Sequence, residues 1–220
     1  MPEPTPALAD PRGLLIAFEG GEGAGKSTQA KRLVGWLEAA GRETVLTFEP
    51  GDTELGQALR AMLLHLDGPD PSARAEALLY AADRAEHVTR VIRPALARGA
   101  VVVTDRFVDS SIAYQGAGRD LGADAVEALS TFATDGLRPD LTVLLDVAPQ
   151  VGLHRFERPP DRLEAEPLAF HARVRDAFAR LAAAEPARYL VVDASAEPDR
   201  VWEQVRDRVT ELLAAREGSA

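Results

Sequence analysis

Short apolar runs alternate along the chain with longer stretches in which apolar residues recur every three or four positions. Residues 14–18 ("LLIAF"), 44–48 ("TVLTF"), 100–105 ("AVVVTD"), 141–147 ("LTVLLDV") and 189–193 ("YLVVD") are brief and rich in aliphatic or β-branched side chains. Each predicts a buried strand. The helical spacing begins at Lys26, places Leu33, Trp36 and Leu37 on one face and stops at Gly41. Further helical patterns cover residues 55–66, 71–98, 123–134 and 168–184, and a terminal one starts at Asp199. Five strands separated by helices predict an α/β fold with a mainly parallel sheet. With no internal repeat and no long linker, residues 13–220 read as one domain. Residues 1–12, "MPEPTPALADPR", are proline-rich and acidic, the composition of a disordered lead-in rather than of a signal peptide.

The first strand runs into the densest glycine cluster of the chain, "FEGGEGAGKSTQAKRL" (residues 18–33). Gly20, Gly25, Lys26 and Ser27 fit the pattern G-x-x-x-x-G-K-[ST], with a strand before it and a helix after it. The residue types suit phosphate. Glycines let backbone N–H groups turn inward, and the helix start adds its positive end. The segment from Gly20 through Gly21, Glu22, Gly23, Ala24, Gly25, Lys26 and Ser27 to Thr28 is therefore the candidate ATP-binding loop. Lys26 is placed to bridge the β- and γ-phosphates, and Ser27 to ligate Mg²⁺.

Composition narrows what such a loop serves. The formal net charge is −10, which argues against a nucleic-acid polymer as partner but not against a pocket for a small anion. No cysteine is present, so disulfides and thiolate metal sites are excluded. No apolar run approaches the roughly 20 residues of a membrane span, and a cytoplasmic protein is expected. Of the 25 basic residues only Lys26 and Lys31 are lysines, and asparagine is absent. A chain without asparagine cannot supply the Asn-Lys-x-Asp that reads guanine in GTPases. A small kinase acting on a second small molecule is the reading left.

"GGEGAGKST", "FEPGDT", "LLYAADR", "VVVTDRFVDSSIAYQGAGR" and "RPDLTVLLDV" follow one another in this order. The ordered set resembles the thymidylate kinase family, its bacterial members above all, from about residue 13 to the C-terminus. That resemblance implies a P-loop kinase fold of the nucleoside monophosphate kinase type. It further implies ATP and dTMP as substrates, Mg²⁺ as cofactor and a homodimer. Asp105 and Arg106 end a predicted strand, where ligands of open α/β sheets gather. Asp105 is placed to support Mg²⁺, and Arg106 to fork onto the acceptor's phosphate. Tyr80 and Arg84 stand four apart on one helix face. Spacing alone fits a core tyrosine with an exposed arginine as well as a ring stacked on a base, and the resemblance favours the base. Ser110, Ser111, Tyr114 and Gln115 line the base and sugar pocket in similar proteins. A bound adenine is implied near Ala194 and Ser195. Phe48 and Asp52 depart from the usual Arg-Glu-Pro-Gly-Gly-Thr, and Arg60 on the next helix is the candidate to replace the missing arginine.

Residues 154–166, "HRFERPPDRLEAE", read as a lid carrying Arg155, Arg158 and Arg162. Some family members hold a catalytic arginine inside the phosphate loop, whereas others have glycine there and supply it from the lid. With Gly23 at that position, the chain resembles the second type. Arg158 is the expected catalytic arginine and Arg155 the second candidate. Glu22, a carboxylate inside an anion-binding loop, is expected to face away from ATP toward the acceptor's sugar. A kinase for another nucleoside monophosphate and a non-catalytic nucleotide-binding switch are the rival readings.

Overall fold

The computed structural model describes residues 13–217 apart from 67, 69 and 157. The lead-in expected at residues 1–12 lies outside the described residues. β1 (Leu14–Glu19), β2 (Thr44–Phe48), β3 (Val101–Asp105), β4 (Leu141–Asp146) and β5 (Tyr189–Asp193) form one sheet in the order β2-β3-β1-β4-β5. Every pairing is parallel. The expected strands are all present, with ends shifted by no more than a residue.

Alternation along β1 divides the core. Leu14, Ile16 and Phe18 face α1 (Lys26–Ala39) and α9 (Pro198–Glu217), whose Leu33, Leu37, Val201, Val205 and Val209 complete that cluster. Leu15 and Ala17 point the other way, toward Ile92, Leu96 and Phe107. A central strand buried on both faces favours apolar residues, hence the unbroken apolar run Leu14–Phe18, with Glu19 at its C-terminal end as the polar exception.

The remaining helices are α2 (Glu54–Leu64), α3 (Ala73–His87), α4 (Arg93–Ala97), α5 (Val108–Ser111), α6 (Ala123–Thr134), α7 (Pro149–Leu153) and α8 (Leu168–Ala184). The long helix expected over 71–98 is α3 and α4 joined by a π-helical turn, Val88–Ile92. Thr53 starts α2 by accepting from the Gly56 N–H at 2.9 Å, and Ser72 caps α3 through the Ala75 N–H. A second π-helical stretch, Ile112–Gly118, continues α5.

β1 lies between β3 and β4. The connection after β1 leads to β2 at one edge, and the connection after β3 leads to β4 on the opposite side. The C-terminal ends of β1 and β3 flank this reversal, where a crevice opens in folds of this kind. Phe18 is level with Asp105, and Phe18 O accepts from the Arg106 N–H at 2.9 Å. The two loops singled out by sequence therefore leave the sheet side by side.

Candidate active site

A cavity of about 790 Å³ opens at these strand ends, the size of a small-molecule site. Its floor is the loop after β1. Gly25 starts α1 with φ 90°, and Gly23 has φ 66°, backbone conformations that favour glycine. A Cβ on Gly23 would also lie 2.0 Å from the carbonyl oxygen of Gly152 in α7. No side chain, an arginine included, fits at position 23 while α7 stays where it is.

Glu22, Gly23, Ala24, Gly25, Lys26, Ser27 and Thr28 line the cavity, whereas Gly20 and Gly21 do not. Their carbonyls instead accept from Lys26 Nζ at 3.1 and 2.8 Å. Burial, with Arg106 nearby, lowers the Lys26 pKa, while Glu22, Asp105 and Glu19 act in the opposite sense. Ser27 Oγ donates to Asp105 Oδ2. These two oxygens are the cavity's fit to a magnesium ion, which takes one or two protein ligands and completes its shell with water and phosphate oxygens. Among the described residues no cluster of three or more His, Asp or Glu could cage a metal without substrate.

Arg106 follows β3 with φ 74°, an uncommon conformation for a residue with a side chain. It turns the guanidinium back over the loop. Nη2 donates to Glu22 Oε1 at 2.7 Å, and Nη1 to Ser110 Oγ at 3.1 Å and Gly20 O at 3.3 Å. Tyr114 Oη donates to the same Glu22 oxygen at 2.7 Å, and its ring centroid lies 5.0 Å from the Arg106 guanidinium carbon. Burial opposes charge on Glu22, but Arg106, Lys26 and the Tyr114 hydroxyl outweigh it and hold its pKa at about 2. Glu22 is thus an anion directed toward the Arg106 and Tyr114 side of the cavity.

Below this cluster Glu19 receives the N–H groups of Phe107 and Ser110 at 2.9 and 3.1 Å and the Ser110 hydroxyl at 2.5 Å. Burial and the nearby Asp109 carboxylate push its pKa up to about 8 against these donors. Its partners tie the first turn of α5 to the end of β1.

Tyr80, Ser110, Ser111, Tyr114, Gln115 and Arg60 line the far half of the cavity, as does Arg84. Arg84 is only 2% exposed, and its nitrogens are directed at protein. Nε meets Glu49 Oε2 at 2.9 Å, Nη1 meets Ser111 Oγ at 3.0 Å and Nη2 meets the Phe107 carbonyl at 3.0 Å. Gln115 Nε2 donates to Glu76 at 2.9 Å. Arg60 donates to the Pro50 carbonyl at 2.7 Å and stands over the Phe48 ring, 5.8 Å from its centroid.

The segment expected to be a lid contributes Arg155, Phe156, Arg158, Asp161 and Glu164 to the cavity wall. Arg158 grips Glu164 with two bonds, at 2.6 and 2.9 Å, and lies over the Phe156 ring. Arg155 spans the Gly23 carbonyl and the Ala194 carbonyl, each at 2.9 Å. It thereby joins the phosphate loop to the turn after β5, where the adenine is expected. Arg162 is not on the cavity wall. It donates to the Leu63 carbonyl and, at 3.0 Å, to the Met62 carbonyl.

Thr47, Glu49, Phe156, Asp161 and Glu164 also line the cavity and were not singled out from sequence. Glu49 stood inside the quoted "FEPGDT" but carried no chemical signal by itself, because its partners Arg84 and His87 are more than thirty residues away.

The thymidylate kinase family model matches residues 18–205. The chain belongs to the thymidylate kinase family. It is 52% identical to the thymidylate kinase of Bifidobacterium longum (strain NCC 2705) over 203 residues, covering 91% of this chain and 98% of that one. Identity to the thymidylate kinase of Clavibacter michiganensis subsp. michiganensis is 54% over 206 residues, covering 92% and 97%. Among solved structures, a crystal structure of thymidylate kinase from Ehrlichia chaffeensis superposes with a TM-score of 0.74 at 31% identity, over 90% of this chain and 98% of that one. The P-loop kinase fold expected from sequence is that of this family. Among the described residues no helix is long and apolar enough to cross a membrane.

Proposed function

We propose that the chain transfers the γ-phosphoryl group of ATP to dTMP, giving ADP and dTDP, within a single P-loop kinase domain whose lid spans about residues 154–166. The observation that carries this reading is the shared Glu22 cluster. One loop presents Lys26 and its backbone to one half of the cavity and the Glu22 carboxylate, through Arg106 and Tyr114, to the other.

In this reading Lys26 leaves the Gly20 and Gly21 carbonyls for the triphosphate. Ser27 and Asp105 would hold Mg²⁺, which would supply charge neutralisation for the transferring group. Arg106 holds the acceptor's phosphate in line, and Glu22 meets the acceptor's sugar. Tyr80 offers its ring to the base, with Ser110, Ser111, Tyr114 and Gln115 beside it. Arg60 covers the phosphate end where Phe48 offers no cation. Arg84 contributes by fixing Ser111 rather than through a free donor. Arg158 exchanges Glu164 for the transferring phosphoryl, and lid closure excludes water.

A cytoplasmic enzyme that works as a homodimer completes the proposal. Leu78 of α3 and Phe132 of α6, the latter 87% exposed, present apolar surface on two helices that pack against each other. Sedimentation of Phe132→Asp against the parent chain tests this, and a parent chain that sediments as a monomer overturns it.

The function is tested by coupled ADP release with dTMP, dUMP, dGMP, dCMP and AMP. The expected outcome is dTMP as the best acceptor. Equal or better turnover of a purine nucleotide favours another monophosphate kinase, and ATP binding without acceptor-dependent turnover favours a switch.

A further inference from the structure

α8 carries a buried polar atom that none of the contacts to the large cavity uses. His171 is 4% exposed, and its Nε2 has no hydrogen-bond partner among the described residues. Buried polar atoms are nearly always bonded, to protein or to ordered water. His171 lines a second cavity, of about 10 Å³. That is close to the space one water molecule needs, roughly 10–15 Å³.

The walls of this cavity bring α8 to the phosphate loop. Gly21 and Glu22 of the loop line it together with His171 and Arg175 of α8, and the other lining residues, Leu153 and Val174 among them, are apolar. Arg175 is engaged elsewhere, with Asp146 at 2.6 and 2.7 Å. The loop keeps bonding capacity. Gly21 O accepts from Lys26 Nζ at 2.8 Å and has a second lone pair. Both side-chain donors to Glu22 meet Oε1 and leave Oε2 aside. The Phe170 ring stands edge-on to the imidazole, 5.5 Å between centroids at 89°. Both rings are buried, so packing holds the imidazole in place against the cavity.

We propose that His171 is a positioning residue for the phosphate loop: its Nε2 holds one buried water, and that water bonds the Gly21–Glu22 stretch from the α8 side. Water both donates and accepts, so it serves Nε2 with or without a hydrogen there. A bridge of this kind is nearly as good as a direct hydrogen bond. Arg106 and Tyr114 hold Glu22 by its carboxylate, and the water braces the segment that carries it. The bridge stands on the geometry alone, and its effect on acceptor use rests on the dTMP reading above.

Two measurements on the full chain test it. A high-resolution crystal structure should show one ordered water within hydrogen-bond distance of His171 Nε2 and of a polar atom of Gly21 or Glu22. A dry cavity, or a water that misses either partner, overturns the bridge. The second measurement compares His171→Phe, a ring without the nitrogen, with His171→Gln, whose amide can meet the same water. His171→Phe is expected to lose the water and to lower kcat/KM for dTMP about threefold to tenfold, the scale of one net hydrogen bond. KM for ATP should change less, and His171→Gln should keep the water and most of the parent activity. Parent-like kinetics in His171→Phe, or equal losses in both variants, overturn the positioning role. Should His171→Phe fail to fold, His171→Leu takes its place in the comparison. Failure of the parent chain to use dTMP would instead sink the proposed function and leave the crystallographic result standing.

Discussion

Arg106 and Glu22 are joined at 2.7 Å across the floor of the cavity, with the Tyr114 hydroxyl on the same carboxylate oxygen. The pair explains why an acidic residue is tolerated in a loop that binds anions. Its charge is directed to the Arg106 and Tyr114 side of the cavity and already has a partner. Removing the carboxylate frees Arg106 and withdraws the group assigned to the sugar. Glu22→Ala is expected to lower kcat/KM for dTMP about tenfold to a hundredfold, and to erase any preference of dTMP over its 3′-deoxy analogue. An unchanged preference would remove the sugar-sensing role.

Lys26 holds two carbonyls of its own loop in this structure, Gly20 and Gly21. Lys26→Ala should reduce turnover by roughly a thousandfold or more, since one centre of charge stabilisation is lost. Circular dichroism and the melting curve should stay near those of the parent chain. Collapse of the fold would show that the two carbonyl contacts are its main task.

The lid arginines separate by what they touch. Arg158 is paired with a side chain that it can leave, whereas Arg155 ties two backbone carbonyls together. Arg158→Ala is expected to lower kcat about a hundredfold or more with little change in dTMP binding. Arg155→Ala should raise KM for ATP more than it lowers kcat. Parent-like kcat in Arg158→Ala would transfer the catalytic role to Arg155.

Two carboxylates beside the loop give stability opposite dependences on pH. Glu19, raised from about 4.5 in the unfolded chain to about 8 in the folded one, binds its proton more tightly when folded. Its contribution is complete below pH of about 4.5 and is lost as pH rises through about 8. Glu22, lowered to about 2, contributes above about 4.5 and loses that contribution as pH falls through about 2. Glu19→Gln keeps the acceptor for the two N–H groups but cannot ionise. Its stability relative to the parent should therefore improve from pH of about 5 to about 8 and then level off in denaturant titrations. A constant difference across that range would show that Glu19 is already ionised in the fold.

The five strands and the phosphate loop were legible because burial imposes a local pattern. A strand covered on both faces reads as an apolar run, as over Leu14–Phe18 of β1, and a loop that wraps phosphate has to be glycine-rich. The Val108–Gly118 segment was harder to read as helix. Its serines serve neighbouring strands and arginines, and most of it, Ile112–Gly118, is π-helical, which shifts the apolar spacing. Arg84 shows a different limit. Its helix position relative to Tyr80 was readable, but Glu49 and Ser111, which occupy its guanidinium, lie 35 and 27 residues away. Which lid arginine faces which group was unreadable for the same reason: Gly23 and Ala194 are 132 and 39 residues from Arg155.

Gly23 and Gly152 meet so closely that a Cβ on either would strike the other's side of the contact, Gly152 O in one case and Glu22 O in the other. The contact lies one turn before Arg155. It locks the loop after β1 against α7 backbone to backbone, with no room for a side chain between them. A chain built this way has given up the option of a cation inside the phosphate loop. Placing one at position 23 would require changing α7 in the same step, a paired change in backbone packing rather than a single substitution.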